Sequence, residues 1–248
     1  ICLGEATKVS QYLLESDKKY RARLKLGIRT DSADSEGIVT ERCEDFVVKA
    51  EDVGKALQSF RGEIEQIPPM HSALKVDGVP LYKLARKGQT VARVPRKITV
   101  YSIELTEFGA DEIELEIACS KGTYVRTIAD DLGQILACGA HITALHRTQA
   151  GAFTEEDCVS TEFLMQEKEA LGMQGIDEIL VPMDRAISDL PEVILPSLTA
   201  SCLRHGQAVL VRHLPEEGLV RLYEEGQFIG IGSIDDDGKV APRRLIVN

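Results

Sequence analysis

The chain has 248 residues, 44% of them hydrophobic, enough to bury a substantial core in one large domain or two unequal ones. Its net charge of −11 excludes a protein that coats nucleic acid indiscriminately through clustered Lys and Arg. No apolar run approaches the roughly 20 residues needed to cross a bilayer, and the opening Ile1-Cys2-Leu3-Gly4-Glu5 lacks the basic and apolar regions of a secretion signal; together these predict a cytoplasmic protein.

The chain opens in mid-pattern on apolar residues and without Met, so a segment upstream is expected to be missing. From Tyr20 to Leu26 the residues alternate, with Tyr20, Ala22, Leu24 and Leu26 on one side and Arg21, Arg23 and Lys25 on the other, which is strand periodicity. Asp31 to Gly37 lacks the alternating acids and distant Glu of a calcium loop and reads as a polar turn between strands. Val53 to Phe60 is a helix candidate. Gln66-Ile-Pro-Pro-Met-His-Ser-Ala-Leu-Lys75 then opens a long segment, about 67–98, punctuated by Gly78, Pro80, Gly88 and Pro95, with no regular structure expected inside it.

Ile98 to Leu105 and Glu112 to Ile117 are further strands, which gives a mainly antiparallel sheet with one wet face. Thr123 to Ala137 places Ile128, Leu132, Ile135 and Leu136 on one helical face. The order of elements is α+β. Pro182, Pro191 and Pro196 mark a change of composition, so a domain boundary is placed there, giving domains 1–190 and 191–248. Beyond it come a short helix, Ser197 to His205, closed by Gly206, and strands at Ala208 to Arg212, Leu219 to Tyr223, Phe228 to Ile234 and Val240 to Val247. Glu225-Gly226 and Asp237-Gly238 supply hairpin turns, so the tail reads as a small β-barrel-like module.

The patterns of phosphate-binding and dinucleotide-binding loops and of zinc peptidases are absent, which leaves ATP and NAD unsupported and predicts no cofactor. The histidines at 71, 141, 146, 205 and 213 are too scattered to gather a metal, and the six cysteines, at 2, 43, 119, 138, 158 and 202, contain no C-x-x-C pair. No metal is expected, and the cysteines read as reduced and mostly buried. Asp130 and Asp131 are adjacent on a helix, point about 100° apart and cannot share one site, so they read as helix surface with one local bond.

Two features point to function. Between Lys75 and Lys97 seven basic residues, among them Lys75, Arg86, Lys87, Arg96 and Lys97, face one acid, Asp77; this is either a phosphate-tracking patch or a solvated loop. Cys119-Ser-Lys-Gly-Thr-Tyr-Val-Arg126 sits where a strand ends and a helix begins, a common place for a site. There Arg126 either holds a carboxylate bidentately or pairs with a surface acid, and Tyr124 either offers its face to a flat ligand or packs in the core.

This last segment, extended through Thr127-Ile128 and Asp131-Leu-Gly133, resembles the motif of the TruB-type pseudouridine synthases. Leu3 to Lys8, Asp17 to Tyr20, Gly27 to Asp34, Ile67 to Lys75 and Cys138 to His141 are similar to that family in the same order, and Gly230 to Asp235 and Val240 to Leu245 resemble its PUA-type RNA-binding tail. The resemblance implies an α+β catalytic domain that isomerises a T-loop uridine of tRNA, position 55, to pseudouridine without cofactor or metal. The base is detached from its ribose, turned over and rejoined through carbon. By resemblance Tyr20 is catalytic and stacks on the target base, with proton removal as a second candidate role. Arg126 pairs with the nucleophilic carboxylate, Tyr124 contacts the nucleotide, and Leu145 lines the pocket. The basic residues of the 67–98 segment belong to an insertion that closes on the T-arm, and the protein is expected to be a monomer.

The family's nucleophile is an Asp in a G-x-L-D-P-x-A-x-G-x-L motif, and neither it nor the upstream Lys-Pro motif occurs in residues 1–248. A chain complete as given would therefore be a non-catalytic tRNA-binding or RNA-chaperone protein, which is the alternative reading. A subunit of an RNA-guided particle is disfavoured by the lack of a long basic extension. After Leu145 the family has Arg-Arg-Leu where this chain has His146-Arg147-Thr148, so no role transfers to His146.

Overall fold

The computed structural model describes residues 1–212, 214, 215 and 217–246, and they group into two compact units, Ser16–Ala150 and Ile1–Glu15 with the chain from Gly151 onward.

In the unit Ser16–Ala150 the strands are β1 (Lys18–Leu26), β2 (Ile28–Thr30), β3 (Val39–Arg42), β4 (Gly62–Gln66), β5 (Lys75–Val76), β6 (Val79–Pro80), β7 (Arg96–Phe108), β8 (Glu112–Cys119) and β9 (Ala140–Ala150). Its main sheet runs β9-β1-β8-β7-β4, every neighbouring pair antiparallel. The alternation in β1 separates the two faces. Ala22, Leu24 and Leu26 join Val100, Ile103, Leu115 and Ile117 in the core, under the helices Ala50–Leu57 and Val125–Ile135. On the other face Arg23 pairs with Glu114 at 3.1 Å and Arg21 with Glu116 at 3.7 Å, cross-strand charges in water. The antiparallel sheet with one wet face is as the alternation dictates.

The helix read as Val53 to Phe60 starts earlier, at Ala50, and turns 3-10 over Gln58–Phe60. The helix read as Thr123 to Ala137 is trimmed to Val125–Ile135, because Tyr124 is extended and Ala137 has a positive φ of 55°. The 67–98 segment departs from expectation. It is not structureless: β5 and β6 form a hairpin, the helical turn Leu81–Ala85 follows, and Leu81, 1% exposed, bonds through its N–H to the Leu74 carbonyl. Proline and glycine punctuation concealed elements only two to five residues long. The segment leaves and re-enters the sheet at one rung, Gln66 opposite Arg96.

The other unit contains β10 (Phe153–Thr154), helices Thr161–Leu171 and Met173–Ile179, and an open five-stranded sheet. That sheet is built from β11 (Glu192–Ile194), β12 (Val209–Leu210), β13 (Gly218–Glu224), β14 (Gln227–Ile234) and β15 (Lys239–Leu245), in the order β11-β13-β14-β15-β12. Glu225 and Gly226 both have positive φ, 50° and 78°, the geometry of a tight hairpin turn. Val193, Leu203, Val220, Leu222 and Val240 fill its core against the helix Ser197–Arg204. The strand read as Ala208 to Arg212 is shorter, and Val247 of the last expected strand and His213 lie outside the described residues. The boundary expected at 190 falls inside this unit, just before β11. All six cysteines are free, as expected, but only Cys119 and Cys138 are buried, while Cys158 is exposed; a small apolar side chain at a loop position does not compel burial.

Gly133 sits where the helix Val125–Ile135 crosses the start of β9, and a Cβ there would lie 2.1 Å from the Ala140 nitrogen and 2.5 Å from the Gly139 carbonyl carbon. Gly133→Ala is therefore expected to destabilise by about 2 kcal/mol or more, although alanine favours a helix by about 1 kcal/mol. Urea denaturation checks it; a variant of equal or higher stability would contradict the packing.

Candidate active site

The strand-to-helix turn is fixed locally before anything binds. At the end of β8 the Ser120 N–H donates to the Thr99 carbonyl at 2.8 Å while the Ser120 hydroxyl accepts from the Thr99 N–H at 2.9 Å. Gly122, with φ of 77°, reverses the chain, and Thr123 Oγ1 donates back to the Ser120 carbonyl at 2.9 Å. Tyr124 then caps the helix in an extended conformation, which leaves Arg126 as its second residue.

Arg126 reaches two partners distant in sequence. Nη1 donates to Asp34 Oδ2 and Nη2 to the His71 carbonyl, both at 2.8 Å. Both charged side chains of the pair are about one-quarter exposed, 26% and 23%. Asp34 is held in turn: its carboxylate accepts from Ser32 Oγ and the Glu36 N–H, and its backbone forms a bridge to Ile142 of β9, where the Ile142 N–H donates to the Ala33 carbonyl. Burial works to raise the Asp34 pKa, but the bonds from Ser32 and Arg126, the Arg126 charge and the Glu36 N–H together hold it below the usual carboxylate value.

Tyr20 and Leu145 lie on the β1–β9 half of the same sheet. Ala22 stands directly opposite Leu145, so Tyr20, two residues earlier, is its diagonal neighbour on the face that packs against the helices. Tyr20 is half-buried and stands opposite Arg147 across the strands; burial pushes its phenol up, and the Arg147 charge offsets this in part. Leu145 is 46% exposed, so it is not a core residue. Tyr124 is half-buried. Neither of the two main clefts collects all four side chains. The larger, about 500 Å³, is lined by Thr30, Ala33, Met70, Arg93, Thr127 and Asp131 among others, beside the Asp34–Arg126 pair. The smaller, about 180 Å³, touches Tyr20.

The acids of the helix also differ from the sequence reading. Asp130 makes more than a local bond: its two oxygens accept Arg29 Nε at 2.6 Å and Nη2 at 3.0 Å, a fork that ties the hairpin of β2 and β3 to the helix. Asp131 is half-buried, and burial, then the neighbouring Asp130 charge, raise its carboxyl. Lys75, Arg86, Lys87, Arg96 and Lys97 are all exposed. Arg86 lies over the Tyr82 ring at 5.5 Å, and Lys97 pairs with Glu63 at 2.8 Å. Among the described residues no group of three or more His, Cys, Asp or Glu is placed to hold a metal ion, and no helix is long and apolar enough to cross a membrane.

The α+β fold with its antiparallel sheet is that of the pseudouridine synthases. The structure of a Cbf5-Nop10-Gar1 complex matches it with a TM-score of 0.72 at 23% identity, over 99% of this chain and 70% of that one. An H/ACA RNP bound to a substrate RNA containing 2'-deoxyuridine matches with a TM-score of 0.73 at 21% identity, over 99% and 71%. Three family profiles tile the sequence: the TruB family pseudouridylate synthase N-terminal domain over residues 1–125, the tRNA pseudouridylate synthase B C-terminal domain over 126–188 and the pseudouridine synthase II TruB C-terminal domain over 191–246. The chain belongs to the TruB family. Proteins named tRNA pseudouridine synthase B are 49% identical in Tolumonas auensis, over 99% of this chain and 78% of that protein, and 50% identical in Vibrio vulnificus, over 100% and 81%.

Two residues of this arrangement escaped the sequence reading. Asp34 ends the Gly27 to Asp34 motif, yet its partner is 92 positions away; Gln66 reads in sequence only as the start of a loop. A buried polar residue reveals itself by what it bonds, and pattern alone does not carry that.

Asp34→Asn removes the charge that faces Arg126. Because the folded pKa of Asp34 is depressed, its stabilisation is present above the ordinary carboxylate range and vanishes as pH falls through the folded value. The variant is expected to lose about 2 kcal/mol near neutral pH and to converge on the parent protein once the pH lies below the depressed folded value; parallel curves in pH-dependent denaturation would refute this.

Proposed function

We propose that this protein is a tRNA pseudouridine synthase that isomerises the T-loop uridine at position 55. Membership of the TruB family and relatives of about 50% identity named for that reaction support the activity. The observation that carries the site is the position of Arg126. It is half-buried at a rigid turn, and two of its N–H groups are engaged by Asp34 and His71. A guanidinium has five N–H groups, so donors remain for a second carboxylate, the family's nucleophile, which such a neighbour would keep ionised.

The target uridine is stacked inside a folded loop, so it has to be everted, at a cost of a few kcal/mol. Tyr20 on β1 offers a replacement stacking surface, with Leu145 as its apolar neighbour on β9. Burial disfavours the Tyr20 phenolate, which favours stacking over proton removal as its first role. Tyr124, at the turn, contacts the nucleotide. Lys75, Arg86, Lys87, Arg96 and Lys97 bind phosphates of the T-arm, and residues 191–248 form the PUA-type RNA-binding domain beside a catalytic domain within 1–190. Recognition of an RNA arm by shape and phosphate suits a protein whose net charge is negative, because the cations are concentrated where the RNA lies. The protein works as a cytoplasmic monomer, without metal or cofactor.

The intact protein, incubated with unmodified T-arm RNA and assayed at base resolution, is expected to convert the one uridine; binding without conversion would favour the RNA-chaperone alternative. Arg126→Ala is expected to lower turnover at least about 10²-fold while leaving RNA affinity nearly intact. Near-normal turnover would contradict its role. Reversing Arg86, Lys87, Arg96 and Lys97 together is expected to weaken T-arm binding and flatten its salt dependence without unfolding the protein. Lys97 should contribute least, since Glu63 already engages it. Unchanged binding by a folded variant at low salt would remove the segment from the interface.

A further inference from the structure

We propose that Gln66 is a positioning residue for the reaction, a side-chain clamp that couples the root of the 67–95 segment to the orientation of Tyr124 and Arg126; this rests on the site assignment above. Gln66 is the last residue of β4 and is only 4% exposed, yet it is polar. Its amide makes two hydrogen bonds to one backbone unit: Nε2 donates to the Tyr124 carbonyl at 3.1 Å, and Oε1 accepts from the Tyr124 N–H at 2.8 Å. The partners dictate the amide orientation, because turning it over would set donor against donor and acceptor against acceptor.

The place of attachment gives the clamp its meaning. The Tyr124 side chain makes no capping bond to the helix, and the residue's carbonyl starts the helix by accepting from the Thr127 and Ile128 N–H groups at 3.1 and 3.3 Å. Whatever fixes the Tyr124 peptide therefore fixes the helix N-terminus and, two residues on, the origin of the Arg126 side chain. Gln66 is also the final rung before the 67–95 segment departs, paired with Arg96 where that segment returns. Five residues into it, the His71 carbonyl accepts from Arg126. One short stretch, 66–71, thus holds the turn at two points, on the backbone through Gln66 and on the guanidinium through His71. A segment that engages RNA transmits its own placement through its root to Tyr124 and Arg126. A glutamine kept merely as a satisfied polar group in the core would have no such effect on the chemical step.

The test uses the intact protein and T-arm RNA. Gln66→Met keeps shape and removes both bonds; it is expected to lower kcat about 30-fold, with KM within about twofold, because the lost interaction aligns the reacting groups rather than binding RNA. Hydrogen exchange of the Tyr124 N–H should quicken at least about tenfold while the β4–β7 amides are unchanged. Gln66→Glu supplies a second, independent signature. A buried glutamic acid has a raised pKa, and only its protonated form offers both a donor and an acceptor, so its kcat relative to the parent should recover as pH falls from about 8 to about 6. That recovery is not expected of Gln66→Met. If Gln66→Met does not fold, the pH profile of Gln66→Glu decides alone. Parent-like kcat in a folded Gln66→Met, a change confined to KM, or a flat Gln66→Glu profile overturns the proposal. If the parent protein itself converts no uridine, the functional reading fails, and Tyr124 exchange still decides whether the clamp exists.

Discussion

The ion pair between Arg126 and Asp34 joins the parts of the chain from which the candidate site is built. One partner stands at the start of a helix, and the other at the tip of a hairpin stitched to β9 through Ile142. Neither charge is fully solvated, so each needs the other: removing one leaves a partly buried ion whose remaining hydrogen bonds do not compensate it. The guanidinium is thus aimed by two contacts from different parts of the chain, the Asp34 carboxylate and the His71 carbonyl, and Ser32 and the Glu36 N–H hold that carboxylate in place.

The sheet beneath it supplies the rigidity. Its helix-covered face is packed with Leu24, Ile103, Leu115 and Ile117, each at 1% exposure or less, and its other face is a lattice of crossed charges. Interiors packed this closely transmit displacement instead of absorbing it. Gly133 marks how tightly the helix that carries Arg126 approaches the start of β9.

Much of this fold can be read in the residues themselves, because alternation and helical spacing are local signals. Tyr20 to Leu26 declares its two faces by sequence alone, and Glu112 to Ile117 does the same. Elements of two to five residues inside 67–95 do not declare themselves, since too few residues sample a period and proline and glycine dominate the reading. The site is legible only in part. Motif resemblance offers Tyr20, Tyr124, Arg126 and Leu145 as candidates, whereas Arg126 meets Asp34 across 92 positions and His71 across 55, and Arg29 meets Asp130 across 101. Such pairings come from how strands are ordered, β9 beside β1, and that order is a property of the whole chain.

The common rung from which the 67–95 segment leaves and to which it returns also bears on how members of the family diverge. Pairing of β4 with β7 brings the two ends together before the intervening residues adopt any shape, so the entropy of closing that loop is already met by the sheet. Doubling the length of a flexible loop then adds only about 0.6 kcal/mol. Provided its root is retained, the segment can lengthen, shorten or exchange its surface charges with little effect on the sheet, which leaves its length and charge free to drift among relatives.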